Sequence, residues 1–369
     1  MIHDIKINNF KSIKNLNLSP KRVNLFIGKP NVGKSNFLEC LSIIGNKNPM
    51  DVRLENVRNL FYDQDIKDPI TISIDKFHQI IRYNTRRNKF ESYLIDIDFV
   101  QSKLENSEFS STFKSNSTFQ KILDDVDSKF IYNDEFYDNI EELVRLNLVG
   151  VSEVSADGKF HTPNILQVDR IPKIKKYKFN RSILRSNDIE LNSSSLLSPY
   201  GENIFEILKN DKDLLSEVSD LFKEYGYSLI IDFVSNEAEI QKMIGNVGYK
   251  IPYSLIADTL QRMVFYIVAI RSNTDATILL EEPENHSFPP YIRDIAFEII
   301  NSSNQFFIAT HSPYLLNTLL FDTKEDELAI NIVSFKEFET KINPMTKEEL
   351  SELSNYGIDA FFNLNLFGE

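Results

Sequence analysis

The stretch Gly28-Lys29-Pro30-Asn31-Val32-Gly33-Lys34-Ser35 decides how the rest of this 369-residue chain is read. It matches the pattern GxxxxGK[ST] without a gap, a loop whose backbone N–H groups turn inward to hold phosphate. The flanks agree with that reading. Val23-Asn24-Leu25-Phe26-Ile27 is a short apolar run of buried-strand type, and Phe37, Leu38, Leu41 and Ile44 recur at helical spacing over 34–44. Strand, glycine loop and helix in this order aim the helix N-terminus at the anion. Gly28 and Gly33 then supply backbone freedom, Lys34 a cation for the β- and γ-phosphates, and Ser35 a hydroxyl for Mg²⁺. Lys29, Pro30, Asn31, Val32 and Asn36 complete the expected ATP-binding set. A fortuitous glycine turn is the competing reading, and the flanking strand and helix weigh against it.

Two further constellations lie downstream. Thr277-Ile278-Leu279-Leu280-Glu281-Glu282-Pro283-Glu284 ends an apolar strand in carboxylates, which is costly unless a cation or a proton transfer uses them. This is a Walker B arrangement: Glu281 joins Ser35 in the Mg²⁺ shell, and Glu282 orients or deprotonates the attacking water. An acidic loop capping the next helix is the plainer alternative. Phe306-Phe307-Ile308-Ala309-Thr310-His311-Ser312-Pro313 ends a second strand in Thr-His, where His311 is placed to touch a γ-phosphate. A lone histidine is more often packed at a strand end; the order of P-loop, acidic pair and Thr-His argues for the functional role.

Composition bounds the remaining possibilities. The chain is 42% hydrophobic and 26% charged, which is ordinary for a globular protein of two lobes. Its longest apolar stretch, 263–270, is far short of the ~18 residues of a membrane span. The opening Met1-Ile2-His3-Asp4-Ile5-Lys6 lacks the pattern of a signal peptide, and the lone Cys40 excludes a disulfide framework or a cysteine-based zinc site. A cytoplasmic address and no membrane partner are expected. The net charge of −13 disfavours general polyanion binding, because the summed field repels phosphate backbones.

Strand patterns at 5–10, 16–18, 23–27, 70–74, 93–99, 228–234, 238–243, 277–280 and 305–309 alternate with helical ones at 34–44, 203–209, 211–225, 253–270, 290–300 and 313–320. The alternating 5–10 segment reads as an edge strand. The expected fold class is α/β, with a largely parallel sheet. Residues 101–165, rich in Ser, Asn, Asp and Glu, read as an inserted, partly helical subdomain. The domain reading is 1–100 for the N-terminal part of the head, 101–195 for the insert and a basic strand region, and 196–369 for the C-terminal part.

Together, Gly28–Ser35 motif residues, the Leu279–Glu284 segment with His286, and Thr310 to Pro313 resemble ABC-type ATPases of the RecF/SMC-like branch. Within it, they are most similar to OLD-type AAA ATPases, whose acidic motif runs Glu-Glu-Pro-Glu-x-His-Leu. The opening Ile7 to Leu18 and the Gly201-Glu202-Asn203-Ile204 start resemble further elements of that branch. The resemblance implies a P-loop NTPase with an ABC-type head formed by both chain ends. It also implies ATP and Mg²⁺ as cofactors, an ATP-dependent homodimer or higher oligomer, and a separate effector or DNA-bound partner, as in antiviral defence or DNA-repair modules. It places a signature region acting in trans at Ser254 and Asp258, although Ala257 and Thr259 stand where that branch has glycines. A slow or partner-stimulated ATPase and a nucleotide-gated scaffold with little turnover both fit that departure; a plain core helix is a third reading of the segment. Only 49 residues follow Leu320, without an Asp-x-Asp strand end, so a Toprim nuclease domain is not expected.

The P-loop text also resembles Era-type GTPases. Asn46-Lys47-Asn48-Pro49 lacks the Asp of a guanine clamp, however, and no Asp-x-x-Gly switch follows. The missing glycine signature sets transporter ATPases aside. Smaller expectations concern Gln64, proposed by position for the Mg²⁺ shell, and the basic stretch 170–185. In that stretch Lys175, Lys176, Lys178 and Arg181 form a candidate nucleic-acid track, with Tyr177 and Phe179 as stacking platforms; a half-solvated strand is the alternative. Arg82, Arg86, Arg87 and Lys89 form a second basic cluster or a charged hairpin tip.

Overall fold

The computed structural model describes residues 1–44, 52–105, 134–145, 148–164, 172–181, 193–232, 237–356, 361 and 363. In chain order the strands are β1 (Ile5–Phe10), β2 (Ile13–Leu18), β3 (Val23–Ile27), β4 (Ile70–Ile74), β5 (Phe77–Asn84), β6 (Lys89–Asp96), β7 (Val149–Val154), β8 (Phe160–Asn164) and β9 (Ile174–Tyr177). They continue with β10 (Ser228–Ile231), β11 (Ala238–Ile244), β12 (Val247–Pro252), β13 (Thr277–Glu281), β14 (Gln305–Ala309), β15 (Leu328–Lys336) and β16 (Glu339–Pro344). The helices are α1 (Lys34–Ile43), α2 (Ile97–Glu105), α3 (Asp134–Arg145), α4 (Ile204–Asn210), α5 (Lys212–Lys223), α6 (Asp258–Arg271), α7 (Pro289–Asn301), α8 (Pro313–Asp322) and α9 (Lys347–Tyr356).

A six-stranded sheet in the order β16-β15-β3-β14-β13-β9 forms the centre. Its strands are parallel except β16, which returns antiparallel along β15. Both chain ends therefore build it: β3 lies between β14 and β15, nearly 300 residues later in sequence. Side-chain alternation splits its two faces. Leu25, Ile27, Ile278, Leu280, Phe306, Ile308, Ile330 and Ile332 pack under α4 to α8. Phe26, Leu279, Phe307, Ala309 and Val333 face the other way, onto α1 and the strands β1, β2 and β4. Such double burial explains why these strands read as continuous apolar runs.

The second layer is an antiparallel seven-stranded sheet, β2-β1-β4-β5-β6-β7-β8. Here three expectations are corrected. β1 is not an edge strand: β2 and β4 pair with its two sides, because the turn at Lys11 folds β2 back beside it. The strand expected to run to residue 99 stops at Asp96, whose side chain accepts from Phe99 N at 3.1 Å and starts a helix. The strands of 149–164, read as part of an insert, extend the N-terminal sheet through β6–β7 pairing. α2 and α3 cover this end through Val100, Tyr137, Ile140 and Leu143. Residues 106–133, part of the expected insert, lie outside the described residues. β10, β11 and β12 form a separate antiparallel sheet leading into α6.

Candidate functional site

The carboxyl ends of four neighbouring parallel strands, β3, β14, β13 and β9, open on one cavity of about 770 Å³. β3 runs into the glycine loop, β13 into Glu281 and Glu282, β14 into Thr310 and His311, and β9 into Lys178 and Phe179. Loops at the carboxyl ends of parallel strands are where such sheets bind ligands. Pro30, Asn31, Gly33, Lys34, Ser35 and Asn36 line the cavity, facing Glu281, Glu282 and His311. Residues nearly 280 positions apart thus meet as the sequence order implied.

Both loop glycines are demanded by the tertiary structure. A Cβ on Gly28 would stand 2.1 Å from the Val333 carbonyl oxygen of β15. Gly33 has φ 102°, and a Cβ there would stand 2.0 Å from Thr340 Oγ1 of β16. Thr340 Oγ1 donates to Val32 O at 2.8 Å and lies 2.7 Å from Ser12 Oγ, which accepts from Asn36 Nδ2 at 2.7 Å. The β15–β16 hairpin therefore braces the loop from behind.

Lys34 is buried and donates to the carbonyls of Gly28 and Lys29, both at 2.8 Å. Burial lowers its pKa to about 8, with Glu282 and Glu281 opposing. Glu281 is pushed up by burial, but Lys176, the Ser35 hydroxyl and Arg53 outweigh this and hold it below the usual carboxylate range. Glu282 adopts φ 47° and its N–H donates to Ala309 O at 2.8 Å, locking the acidic turn onto β14. A left-handed conformation in a non-glycine residue is strained and is held here by the neighbouring strand. Its carboxylate lies 3.8 Å from His311 Nε2. Burial, then the Lys34 charge, lower the His311 pKa, so its imidazole is neutral at pH 7.

One residue of the acidic motif was not singled out from sequence. Glu284 accepts from Thr310 Oγ1 at 2.7 Å and from His311 N at 2.8 Å, tying the acidic turn to the histidine loop. Its other oxygen is buried without a hydrogen-bond partner among the described residues, and burial raises the pKa of Glu284. Lys11 and Arg53 were also missed. Both line the cavity and both pair with Glu39, a fully buried carboxylate on α1. A charged residue in the apolar run of α1 was the available signal.

Other expectations are corrected. Gln64 is exposed in a short 3₁₀ turn and does not line the cavity. Lys176 is 3% exposed and 3.4 Å from Glu281, and Tyr177 is buried in the core, so neither is open to a nucleic-acid backbone or base; Phe179 is largely buried and lines the cavity. Lys176 and Tyr177 are not solvated either: β9 is an integral strand whose Lys176 answers the half-buried Glu281 of β13. Lys175 donates to Ser195 Oγ at 2.6 Å, and Arg181 donates to Ser254 O at 2.9 Å. Lys178 lines the cavity. In the second basic cluster, Arg82 and Arg87 pair with Glu91 and Lys89 pairs with Glu153. Ser254 and Asp258 lie at the entry to α6, where Asp258 holds Arg262 at 2.7 Å, and Arg262 reaches the cavity. From Leu260 on, α6 is mostly core. Asn46 to Pro49 lie outside the described residues.

The residues suit ATP with Mg²⁺. The cavity is rich in cations, and Ser35 with Glu281 is a hard-oxygen pair of the kind Mg²⁺ takes beside substrate phosphates. Among the described residues no group of three His, Cys, Asp or Glu forms a separate metal site, and no helix is long and apolar enough to cross a membrane.

Fold and cavity together define a P-loop nucleotide-binding domain of mixed α/β class, its head built from N- and C-terminal strands. Residues 23–317 match the family described as "AAA domain, putative AbiEii toxin, Type IV TA system", and the chain belongs to it. An "ATP/GTP phosphatase" of Helicobacter pylori is 22% identical over 362 residues, covering 89% of this chain and 90% of that protein. Among solved structures, an SmcHead bound to the C-winged helix domain of ScpA shows 15% identity and a TM-score of 0.48, covering 94% of this chain and 98% of its own. The SMC head domain from Thermotoga maritima shows 10% identity and a TM-score of 0.41, covering 94% and 99%.

Proposed function

We propose that this chain binds ATP with Mg²⁺ in the cavity and hydrolyses it, and that the nucleotide controls a head-to-head assembly acting on a separate effector or DNA-bound partner. The carrying observation is the meeting of the P-loop, Glu281, Glu282 and His311 around one space. Electrostatics supports it: five lysine or arginine residues, Lys11, Lys34, Arg53, Lys178 and Arg262, line that space against two carboxylates, in a chain of net charge −13. A cation-lined space in an acidic chain suits a polyphosphate, and Glu39 and Asp258 hold three of these cations in place.

Lys34 would leave its carbonyl partners for the β- and γ-phosphates. Ser35 and Glu281 would hold Mg²⁺, which neutralises charge on the phosphates when bound. Glu282 would align a water and accept its proton as the water oxygen attacks the γ-phosphorus and ADP departs. His311, neutral and beside Glu282, would hydrogen-bond the γ-phosphate. Kinship to the OLD-type branch of RecF/SMC-like ATPases, and a role in defence or repair, belong to the same proposal. The family description, with its toxin–antitoxin system, supports the defence setting.

Glu282→Gln tests it. The amide keeps the shape but accepts no proton, so ATP should bind and hydrolysis should stall. Light scattering should then show an ATP-dependent rise in mass. Normal turnover would remove Glu282 from the reaction, and stalled turnover at constant mass would reject the nucleotide-driven assembly. The scaffold reading has one observation of its own: exposed Ala257 and half-buried Thr259 stand where flexible glycines are usual at the entry to α6. Phosphate release near background in the wild type, with tight ATP binding, would favour it.

A further inference from the structure

Parity along β9 separates its side chains into two sets. Tyr177 packs into the core beneath the helices and Lys175 turns to Ser195, while Ile174 packs with the opposite core, on the side of α1 and the P-loop. Lys176 shares that side. Parallel pairing of Lys176 with Leu279 then sets it two residues before Glu281 on the adjacent strand. Its ammonium reaches Glu281 Oε2 at 3.4 Å. Glu281 lines the cavity; Lys176 does not, and is almost fully buried. The cation thus approaches the carboxylate from within the sheet. Ser35, the other residue fitted for Mg²⁺, hydrogen-bonds the same carboxylate.

We propose that Lys176 is a positioning residue for the divalent metal: it engages one oxygen of Glu281 from behind, leaves the other for Mg²⁺, and weakens the site's dependence on Mg²⁺ for holding ATP. The inference rests on the ATP and Mg²⁺ reading above and adds a residue to it. Its physics is competitive. A buried ammonium beside a carboxylate cancels part of the charge the metal would use, and repels the metal at short range in a medium where charges are weakly screened. The same ammonium offsets the repulsion between Glu281 and a polyphosphate when no divalent ion is present. A buried pair serving stability alone would have no bearing on the metal.

The test is ATP affinity of the full chain by calorimetry, in MgCl₂ and in EDTA, expressed as the ratio of the two. Wild type is measured first: no ATP binding in either condition would fail the ATP reading itself. Given wild-type binding, Lys176→Met should bind ATP more weakly in EDTA and should raise the Mg²⁺ enhancement by about three- to tenfold. In a Glu281→Gln background the same change should move the ratio less than in wild type, because only direct repulsion of the metal remains; an equal shift there overturns the route through Glu281. An unchanged or lower ratio in Lys176→Met overturns the proposal. If that variant does not fold, Lys176→Arg keeps the buried charge and can fork across both carboxylate oxygens. It should lower the enhancement below wild type; a ratio equal to or above wild type refutes the role.

Discussion

Gly33→Ala should unfold the molecule more readily for a reason that lies in the C-terminal hairpin. At φ 102° an alanine is conformationally strained, and its Cβ would overlap Thr340 Oγ1 at 2.0 Å and Cγ2 at 2.9 Å. Rotating Thr340 does not clear the space, because both branches of its side chain point there and Oγ1 is held by its bond to Val32 O. Backbone strain of roughly 1–3 kcal/mol and overpacking of roughly 1–3 kcal/mol add to a loss of about 2–6 kcal/mol. For a chain of this length that is roughly 3–8 °C in Tm. Thr340→Ala alone deletes the hydrogen bond to Val32 O and the contact with Ser12 Oγ, and should cost about 1–2 kcal/mol. The double variant removes the overlap but keeps the strain, so it should be more stable than the sum of the single changes by about 1–3 kcal/mol. Urea unfolding followed by circular dichroism reads this cycle, the chain having no tryptophan. Additivity within about 0.5 kcal/mol would show that β16 does not dictate the glycine.

Lys34→Ala should abolish ATP binding by calorimetry, since no other loop residue puts an ammonium beside both Gly28 O and Lys29 O. Wild-type ATP affinity should fall as pH rises through about 8, where the buried Lys34 loses its charge, and folding stability should move the opposite way, because its folded pKa lies below the unfolded value of 10.5. Affinity constant from pH 7 to 9 would contradict that assignment. Glu284 has a raised pKa, so its contribution to stability is present at acid pH and is lost as pH rises above the ordinary carboxyl range; Glu284→Gln should flatten that part of the stability–pH profile, as chemical denaturation will show. Competition calorimetry should find ATP preferred over GTP; selective GTP binding would restore the GTPase alternative.

Much of the candidate site was legible because its chemistry is local. Gly28, Gly33, Lys34 and Ser35 carry their geometry in a continuous loop between an apolar strand and a helix, and the carboxylates at 281–282 and His311 each follow apolar strands whose ends can be read by period and length. Doubly buried parallel strands announce themselves as unbroken apolar runs, so the α/β class was visible without coordinates, while the contribution of both chain ends was implied by the family resemblance. Whatever depended on contacts between distant strands was not. The sheet that owns β1, the bracing of Gly33 by Thr340, the pairing of Glu39 with Lys11 and Arg53, and the clamp made by Glu284 all bring together residues with no shared local pattern. The basic run around Lys176 shows the difference most directly. Sequence alone supplies its charge and its alternation, but only the parallel register of β9 against β13 determines that one lysine faces Glu281, because a shift of one residue would exchange the two faces of the strand.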